Sequence, residues 1–411
     1  MGRDNIIAAL DIGTKKVSTL IAQVGADGTI SFIGKGVAEN NKGLIAGDVV
    51  DVQATAKTIQ ESVAEAEKIS SKHIKSVFVS ISGERVCSMN SHGVIQVKGR
   101  EVAQTDIDRV IEQAKIVTMP DDSDIINVEI GEYTVDGRAG IRNPKGMACR
   151  KLEVDVLIVT ASRTMLRNLI KAVEDSGLKL DDVLVSGIAS SWAVLEEDEK
   201  NLGVAMIDIG EGVADIAIYH KGDPVYVSVL PMGGKFVTDD ISKVMKIPPV
   251  EAEKIKCKHG SARPDYVSDS EEFKTVVIGT NAPTTKKAKQ LSTVMTPRIE
   301  EILVEIKKKL ASSQKESLIQ TDIVITGGTS DLKDIRYVAE DIFEQQVRVG
   351  IPKIQDSDCV FLKVLSSPEF STAVGIINYF AVHKNVKFGK KDGFFARNWA
   401  KLCNFFKNFV E

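Results

Sequence analysis

Cysteine, aromatic residues and long hydrophobic runs are all scarce in this sequence. Five cysteines occur among 411 residues, and aromatic residues make up 5% of the chain. The cysteines are far apart and form no Cys-x-x-Cys pair, which argues against a disulfide framework or a zinc site and favours reduced thiols in the cytoplasm. The longest apolar stretches, such as 183–195, are too short to span a bilayer. Asp11 also interrupts the N-terminal apolar run before a signal peptide could form.

Charge is nearly balanced overall but unevenly distributed. Hydrophobic residues make up 43% and charged residues 27% of the chain, which is typical of a globular protein large enough for two domains or more. The formal net charge of -4 gives no general affinity for nucleic acid. Residues 383–411, however, carry seven Lys or Arg and two Asp or Glu. A basic tail on an acidic body indicates a separate role for the tail.

Short apolar runs alternate with amphipathic stretches, which predicts an α/β architecture. The runs that predict buried strands are 6–10, 77–81, 154–159, 204–207 and 323–325. The stretches with helical periodicity are 54–69, 105–118, 164–176, 297–311 and 332–344. Residues 261–289 are polar with little periodicity and predict a surface loop, whereas the Lys-rich stretch 382–392 predicts a flexible linker.

The most informative feature is a turn that occurs twice. One apolar run ends in Asp11-Ile12-Gly13, and another ends in Asp208-Ile209-Gly210, 197 residues later. Glycine lets backbone amides approach phosphate oxygens, and a neighbouring Asp can hold a hydrated metal ion. Two such turns with matching flanks predict two lobes that face one anionic ligand. Either turn alone would also fit an ordinary β-hairpin with solvated side chains.

Two glycine pairs extend this pattern. Gly327-Gly328 follows an apolar run and precedes a helical stretch, so helix N-terminal amides would lie beside an opening suited to phosphate or a nucleoside. Gly233-Gly234 follows a predicted strand, 225–230, and makes a similar turn. A single glycine pair is weak evidence for such a site.

Together, in this order and spacing, the four turns resemble the actin/Hsp70/sugar-kinase ATPase superfamily. Within it, the chain is similar over nearly its whole length to the FtsA family of bacterial cell-division proteins. The stretches that carry this closer resemblance are 43–51, 65–67, 82–83, 90–93, 146–147, 151–154, 252–256, 326–328 and 347–352.

The resemblance implies an α/β fold of the actin-like, two-lobed ATPase type, with an inserted FtsA-type subdomain and a C-terminal amphipathic helix. The first lobe would comprise 1–83 and 163–200 and be closed by 360–381, with the inserted subdomain at 84–162. The second lobe would comprise 201–359, and its outer subdomain would lie at 230–318. The basic linker would be 382–392, and the membrane-targeting helix 393–411.

The resemblance also implies ATP and Mg²⁺ in the cleft between the lobes. Asp11 and Asp208 would lie around the metal, with water between, and are the candidates for positioning water. The residues expected around the phosphates are Gly13, Thr14, Lys16, Gly210 and Gly212. The residues expected around the ribose and base are Gly234, Glu253, Lys256, Gly327 and Gly328.

The implied function is assembly at the division septum. Members of the family polymerise into actin-like filaments and tether the tubulin-like FtsZ to the cytoplasmic face of the membrane, together with other division proteins. The C-terminal peptide of FtsZ would dock on residues 230–318, where Arg298 and Glu301 are weak candidates for the contact. Solvated positions on one helix face explain these two residues equally well.

The second turn departs from the superfamily pattern, which has further glycine and threonine residues there. Glu211 stands in place of a glycine, and Val213 and Ala214 stand in place of threonines. A carboxylate repels the phosphates of ATP unless it turns outward or meets a metal, although Lys15 can offset its charge. The sequence therefore predicts weak or absent ATPase activity.

Residues 393–411 have the pattern of an amphipathic membrane helix. One face combines large apolar residues, namely Phe394, Phe395, Trp399, Leu402, Phe405, Phe406, Phe409 and Val410. The opposite face carries Arg397, Lys401, Asn404, Lys407 and Asn408. Aromatic residues opposite basic ones suit a helix that lies in the interface of an anionic membrane. A terminal helix that docks on its own domain or on a partner is the alternative.

Two other functions remain open from the sequence. A small-molecule kinase of the same superfamily would need a catalytic base and a substrate pocket, and nothing in the sequence singles one out. A degenerate actin-like binding module that does not cycle nucleotide would explain the altered second turn.

Overall fold

The computed structural model describes residues 5–40, 43–279, 283–356 and 359–387. The strands in chain order are β1 (Ile6–Ile12), β2 (Lys16–Val24), β3 (Ile30–Glu39), β4 (Leu44–Ile45), β5 (Asp48–Val49), β6 (Ser76–Ile81), β7 (Cys87–Gln96), β8 (Ser123–Val135), β9 (Arg138–Ile141), β10 (Lys151–Ser162), β11 (Lys179–Val185), β12 (Val204–Ile209), β13 (Ala214–His220), β14 (Asp223–Leu230), β15 (Glu272–Val276), β16 (Pro283–Lys287), β17 (Ile323–Thr326) and β18 (Val347–Val349).

Each of the five stretches with helical periodicity overlaps an α-helix. The α-helices are α1 (Val52–Ser70), α2 (Gln104–Ala114), α3 (Arg163–Asp175), α4 (Ser186–Val194), α5 (Glu197–Leu202), α6 (Gly234–Met245), α7 (Pro249–His259), α8 (Ala288–Ser312), α9 (Ile335–Phe343), α10 (Leu362–Leu365) and α11 (Ser371–Lys387). Within the described ranges, none of the helices is both long enough and apolar enough to cross a membrane.

A five-stranded sheet forms the centre of the first lobe, in the order β11-β6-β1-β2-β3. β1 is antiparallel to β2 and parallel to β6. Ile7, Ala8, Ala9 and Leu10 in β1 are all buried, because helices cover this sheet on both faces. The covering helix α1 is capped by Asp51, whose carboxylate accepts the Ala54 amide over 2.9 Å and so satisfies one unpaired donor of the first turn.

A nine-stranded sheet joins the second lobe to an inserted subdomain, in the order β18-β17-β12-β13-β14-β7-β10-β8-β9. The strands of the insert, β7 to β10, meet the lobe where Ser228 on β14 pairs with Cys87 on β7. The insert also has a separate core, in which Val110 on α2 and Leu152 on β10 are fully buried. The second lobe has its own core as well, between β12, β13 and β17 and the helices α6 to α9.

The predicted surface loop 261–289 is wrong for much of its length. It contains the antiparallel hairpin β15–β16, in which Phe273 and Thr275 are buried. α8 then begins at Ala288 and includes Pro297 in its interior. Burial of apolar residues before the proline, such as Leu291 and Met295, explains why the helix starts earlier than the expected residue 297.

The predicted linker cannot start at residue 382, because α11 continues through Lys387. Upstream, α11 crosses α4 so closely that a side chain on Gly375 would overlap the carbonyl oxygen of Ala189. α4 itself packs on β12 and β13 of one sheet and on β6 and β11 of the other. α4 therefore packs against both sheets and connects the two lobes.

Candidate functional site

The two Asp-Ile-Gly turns have the same local geometry. The amide of Gly13 donates to the carbonyl of Lys16 over 3.0 Å, and the amide of Gly210 donates to the carbonyl of Val213 over 2.9 Å. Each bond closes a tight hairpin, one between β1 and β2 and the other between β12 and β13. The strands before the turns belong to different sheets, so each lobe contributes one turn.

The two turns meet in the space between the lobes. A Cβ atom on Gly212 would lie 2.5 Å from Thr14 Oγ1 and 3.2 Å from the Cα atom of Ala46. A side chain at residue 212 would have to displace Thr14 Oγ1, so glycine allows the turns to come this close. The fold therefore brings the two turns together, including Gly13 of the first and Gly210 of the second.

Two of the carboxylates beside the turns accept hydrogen bonds from serines two residues apart, one in β6 and one just after it. Ser80 Oγ donates to Asp11 Oδ1 over 2.7 Å, and Ser82 Oγ donates to Asp215 Oδ1 over 2.7 Å. Burial raises the pKa of Asp11 to about 6, although the Ser80 hydrogen bond opposes the increase. The nearby charge of Asp208 contributes to this increase.

A third carboxylate, Asp208, pairs in register with Asp215 on the neighbouring strand. It accepts hydrogen bonds from the hydroxyls of Ser190 and Thr372, the latter over 3.0 Å. Burial raises the pKa of Asp208, and burial together with the Asp208 charge raises the pKa of Asp215 well above its ordinary value. Ionising these carboxyl groups together is costly, and a bound cation would lower that cost.

These carboxylates do not form a complete metal cage. In the parts of the chain that the structure describes, no group of three or more His, Cys, Asp or Glu side chains is arranged to hold a metal ion directly. Mg²⁺ usually takes one or two carboxylates and completes its octahedral shell with water and phosphate oxygens. The donor set of Asp11 and Asp208 fits that habit, with water between protein and metal.

The Gly327 turn lies against the second Asp-Ile-Gly turn. Gly327 has a φ of +85°, and a Cβ atom there would overlap Asp208 Oδ1 and lie 2.7 Å from the Ile209 carbonyl oxygen. Thr329 Oγ1 donates to the Gly210 carbonyl over 2.8 Å. Glycine is required here by both backbone conformation and space.

The start of α6 lies beside this third turn. The Gly234 amide donates to the Gly210 carbonyl over 2.9 Å, and a Cβ atom on Gly234 would lie 2.5 Å from Thr329 Oγ1. The buried ammonium group of Lys256 donates to the Gly234 carbonyl over 3.0 Å and contacts Glu253 Oε2 at 2.6 Å. The expected ribose and base residues Gly234, Glu253 and Lys256 therefore lie in one cluster beside the Gly327-Gly328 turn.

Lys15 reaches from the first turn to α7 of the other lobe. Its Nζ lies 2.6 Å from Glu253 Oε1. Burial alone would raise the pKa of Glu253, but Lys256, Lys15 and Thr238 together lower it to about 2. The pKa of Lys15 is raised, because the bond to Glu253 outweighs the opposing effect of burial.

Lys16 points to a different set of partners. Its Nζ lies 2.8 Å from Glu369 Oε2 and 3.8 Å from the centre of the Phe370 ring. Burial lowers the pKa of Lys16, although Glu369 opposes the decrease. Gly328 is close to the same residue, since a Cβ atom on it would lie 3.7 Å from Glu369 Cβ.

Glu211 is half-buried at the tip of the second turn. Its carbonyl accepts the Lys235 amide over 2.8 Å. Burial and the Glu253 charge raise the pKa of Glu211, and Lys15 and Lys256 oppose the increase. Glu211, which stands in place of the expected glycine, therefore lies near both negative and positive charges. The lysines come from both lobes.

Arg298 and Glu301 lie on α8, outside the cluster of turns. Arg298 Nε lies 2.6 Å from Asp240 Oδ2, its Nη1 lies 2.5 Å from Glu301 Oε2, and its guanidinium lies 5.9 Å from the ring of Phe236. Phe236 is 37% exposed, so the group presents charge and an aromatic edge on the surface of α6 and α8.

Several residues of the site were missed by sequence reasoning. The hydroxyl residues Ser80, Ser190 and Thr372 carry no sequence signal, because each lies far along the chain from the carboxylate that it contacts. Asn40 was also missed; its side-chain amide donates to the Gly13 carbonyl over 2.9 Å and supports the first turn. Asp215 could have been found from the sequence, because it ends the acidic segment 208–215 that contains the second turn.

The predicted membrane-facing residues lie outside the described residues. They are Phe394, Phe395, Trp399, Leu402, Phe405, Phe406 and Phe409.

Comparison with known proteins gives a consistent picture. The family model described as cell division protein FtsA matches residues 205–375, and that of the SHS2 domain inserted in FtsA matches residues 83–160. The cell division protein FtsA of Pseudomonas aeruginosa is 36% identical over 374 residues, which cover 91% of this chain and 89% of that protein.

Solved structures with low sequence identity share the fold. A PilM–PilN type IV pilus biogenesis complex aligns with a TM-score of 0.64 and 16% identity, covering 92% of this chain and 98% of that chain. MreB 5 of Spiroplasma citri bound to AMPPNP aligns with a TM-score of 0.56 and 15% identity, covering 94% and 100%. The chain therefore belongs to the FtsA family of cell-division proteins and has a mixed α/β actin-like fold with an inserted SHS2 domain.

Proposed function

We propose that this chain binds ATP with Mg²⁺ between its lobes, assembles into filaments and tethers FtsZ to the cytoplasmic membrane at the division septum. The observation that carries the nucleotide part is the close approach of Thr14 and Gly212, which joins one glycine turn from each lobe. Backbone amides in such turns bind phosphate oxygens, so both lobes would grip the same phosphate chain. A bound nucleotide would then act on the angle between the lobes.

The residues around the turns fit Mg²⁺ and an adenosine group. Asp11 and Asp208 would hold the hydrated metal ion, whose charge would relieve their mutual repulsion. Gly234, Glu253, Lys256, Gly327 and Gly328 would surround the ribose and base, as the cluster beside α6 supports. The metal, when bound, would neutralise phosphate charge.

The residues of the second turn favour ATP binding over ATP hydrolysis. Val213 and Ala214 supply no hydroxyl, and Glu211 adds a carboxylate to the turn that would face the phosphates. We therefore propose slow hydrolysis or none, with nucleotide acting as a structural ligand. This keeps the degenerate binding module as the second candidate, and Glu211 is the observation that favours it.

The FtsZ contact is assigned to the surface formed by Phe236, Asp240, Arg298 and Glu301. An exposed aromatic ring beside an arginine and two carboxylates offers an apolar anchor and charges of both signs to an extended peptide. The membrane contact is assigned to residues 393–411 on their sequence pattern.

One reconstitution tests the proposal. Full-length protein is mixed with FtsZ and vesicles containing anionic lipid, with Mg²⁺ and ATP, ADP or no nucleotide, and vesicle-bound FtsZ is measured after sedimentation. We expect FtsZ to pellet with vesicles only when this chain is present, and more with ATP than without. FtsZ recovery that is independent of this chain would refute tethering, and an absence of any adenine-nucleotide binding in parallel titrations would refute the nucleotide site.

A further inference from the structure

An ion pair joins the first turn to the outer part of the second lobe. Lys15 follows Thr14 in the turn of the first lobe, and Glu253 lies on α7 of the second lobe. Their charged atoms are 2.6 Å apart. The pair therefore connects the lobes at the level of the phosphate turns.

The two partners are held very differently. Glu253 Oε2 lies 2.6 Å from the ammonium group of the buried Lys256 and accepts the hydroxyl of Thr238. The Glu253 side chain is 20% exposed, whereas the Lys15 side chain is 51% exposed. Lys15 can therefore leave without unpairing Glu253, and a long, half-exposed lysine side chain is the partner that moves.

A second carboxylate lies within reach of the Lys15 charge. Glu211 belongs to the turn that packs against Thr14 through Gly212. Lys15 and Glu211 interact electrostatically in the present arrangement, although Lys15 bonds to Glu253. Lys15 thus lies near two carboxylates, one anchored on α7 and one in the turn proposed to bind phosphate.

We propose that Lys15 is a specificity-determining residue that exchanges between Glu253 and the terminal phosphates of a bound nucleotide. This inference rests on the proposed nucleotide site. Phosphate oxygens and Glu253 compete for one ammonium group, so more phosphate charge on the ligand draws Lys15 away more strongly. The exchange breaks the Lys15–Glu253 ion pair between the lobes. The arrangement of the two lobes then depends on the charge of the nucleotide.

Competition gives the two partners opposite effects. Lys15→Ala removes the positive charge that would attract the phosphates. The negative charge of Glu211 is then less fully offset, so ATP binding should weaken. Glu253→Gln releases Lys15 from its competitor, so ATP binding should strengthen relative to a ligand with fewer phosphate charges. A pair that only bridges the lobes would shift both variants in the same direction.

The test is isothermal titration of the full-length chain with ATP and with AMP, in the presence of Mg²⁺. The quantity compared is the ratio of ATP affinity to AMP affinity, because it cancels any ribose contact that Glu253 makes. We expect Lys15→Ala to lower this ratio about fivefold and Glu253→Gln to raise it by a similar factor, as for a partly exposed ion pair. Adding Glu211→Gly to Lys15→Ala should restore much of the lost ratio.

The matched control is Lys171→Ala, which breaks an exposed ion pair with Asp175 on α3, away from the turns. Its ratio should equal that of the unmodified chain. Equal ratios for all variants, or changes of the same sign for Lys15→Ala and Glu253→Gln, would overturn the exchange while leaving the nucleotide site intact. If the unmodified chain bound neither ATP nor AMP, the proposed nucleotide function itself would fail.

Discussion

Thr14 Oγ1 occupies the place that a side chain on Gly212 would need, because a Cβ atom at that glycine would lie 2.5 Å from it. The two residues come from different lobes, so their contact measures how closely the lobes meet. An added atom at this point must displace Thr14 Oγ1 or move one turn away from the other. The contact therefore links a local glycine requirement to the geometry of the whole cleft.

Replacement of Gly212 by alanine should disturb both stability and binding. We expect Gly212→Ala to lower the free energy of unfolding by about 1–3 kcal/mol, the usual cost of overpacking. Binding of ATP should weaken as the turns separate. Thermal denaturation and nucleotide titration measure the two effects.

The obstacle at Gly212 includes a side-chain atom, so it can be relieved in part. Thr14→Ala removes Oγ1 and should return some of the stability lost in Gly212→Ala. Gly99→Ala is the control, because a Cβ atom there would meet nothing nearer than 3.5 Å. If Gly212→Ala and Gly99→Ala denatured at the same temperature, the contact would not limit the approach of the lobes.

Asp11 should make stability depend on pH between its unfolded and folded pKa values. Burial raises the pKa of Asp11 from 3.8 to about 6, so the folded chain holds this proton more tightly than the unfolded chain. Stability from this group is therefore present at low pH and lost as pH rises towards 6 and above. The free-energy cost of ionising the buried carboxyl is about 3 kcal/mol.

Asp11→Asn removes that cost and should raise the melting temperature at pH 7.5 more than at pH 5. Asp121→Asn, at an exposed position, is the control. Mg²⁺ with ATP should stabilise the unmodified chain but not Asp11→Asn to the same extent. An equal change in melting temperature at both pH values would show that Asp11 ionises normally in the folded chain.

The crossing of α4 and α11 should tolerate no side chain at Gly375. A Cβ atom there would overlap the backbone carbonyl of Ala189, which cannot rotate away as a side chain can. Gly375→Ala should therefore lower the free energy of unfolding by about 3 kcal/mol or more, measured by urea denaturation. Ala189→Gly should not rescue it, and a rescue would mean that the side chain of Ala189 sets the distance between the helices.

Arg298 should matter more for peptide binding than for stability. Its ion pairs with Asp240 and Glu301 are partly exposed, so Arg298→Ala should cost about 1 kcal/mol of stability or less. Affinity for the C-terminal peptide of FtsZ should fall at least tenfold, measured by fluorescence anisotropy. Lys308→Ala breaks a comparable pair with Glu305 on the same helix and is the control. Unchanged peptide affinity in Arg298→Ala would move the contact elsewhere.

Much of the architecture could be predicted from sequence periodicity. All five predicted buried strands lie within β1, β6, β10, β12 and β17, because continuous apolar runs of this length indicate strands covered on both faces. The paired turns were visible because glycine and Asp recur beside those runs. By contrast, the alternation of Phe273 and Thr275 in β15 was hidden among polar neighbours, so a hairpin was taken for a loop.

The supporting side chains of the site could not be predicted in the same way. Thr372 and Ser190 contact Asp208 from α11 and α4, and only the folded chain brings them together. The partners of Lys15 and Lys16 were likewise invisible, since Glu253 and Glu369 come from distant segments. Local motifs locate a turn, whereas its electrostatic environment depends on tertiary contacts.

The last prediction concerns residues 393–411, whose sequence alone carries the membrane assignment. Two glutamates can be placed on the apolar face, as Trp399→Glu with Phe406→Glu, or on the polar face, as Asn404→Glu with Asn408→Glu. Both double variants add the same charge, so their electrostatic attraction to anionic lipid falls equally. If residues 393–411 bind the membrane as proposed, only the first would also bury carboxylates in the membrane interface.

Sedimentation with anionic vesicles should therefore distinguish the two pairs. We expect the apolar-face variant to stay in the supernatant and the polar-face variant to pellet, though less at high salt, because charge screening weakens the remaining attraction. Equal loss in both variants would mean that charge rather than apolar burial holds the chain to lipid. Equal retention would place the membrane contact outside residues 393–411.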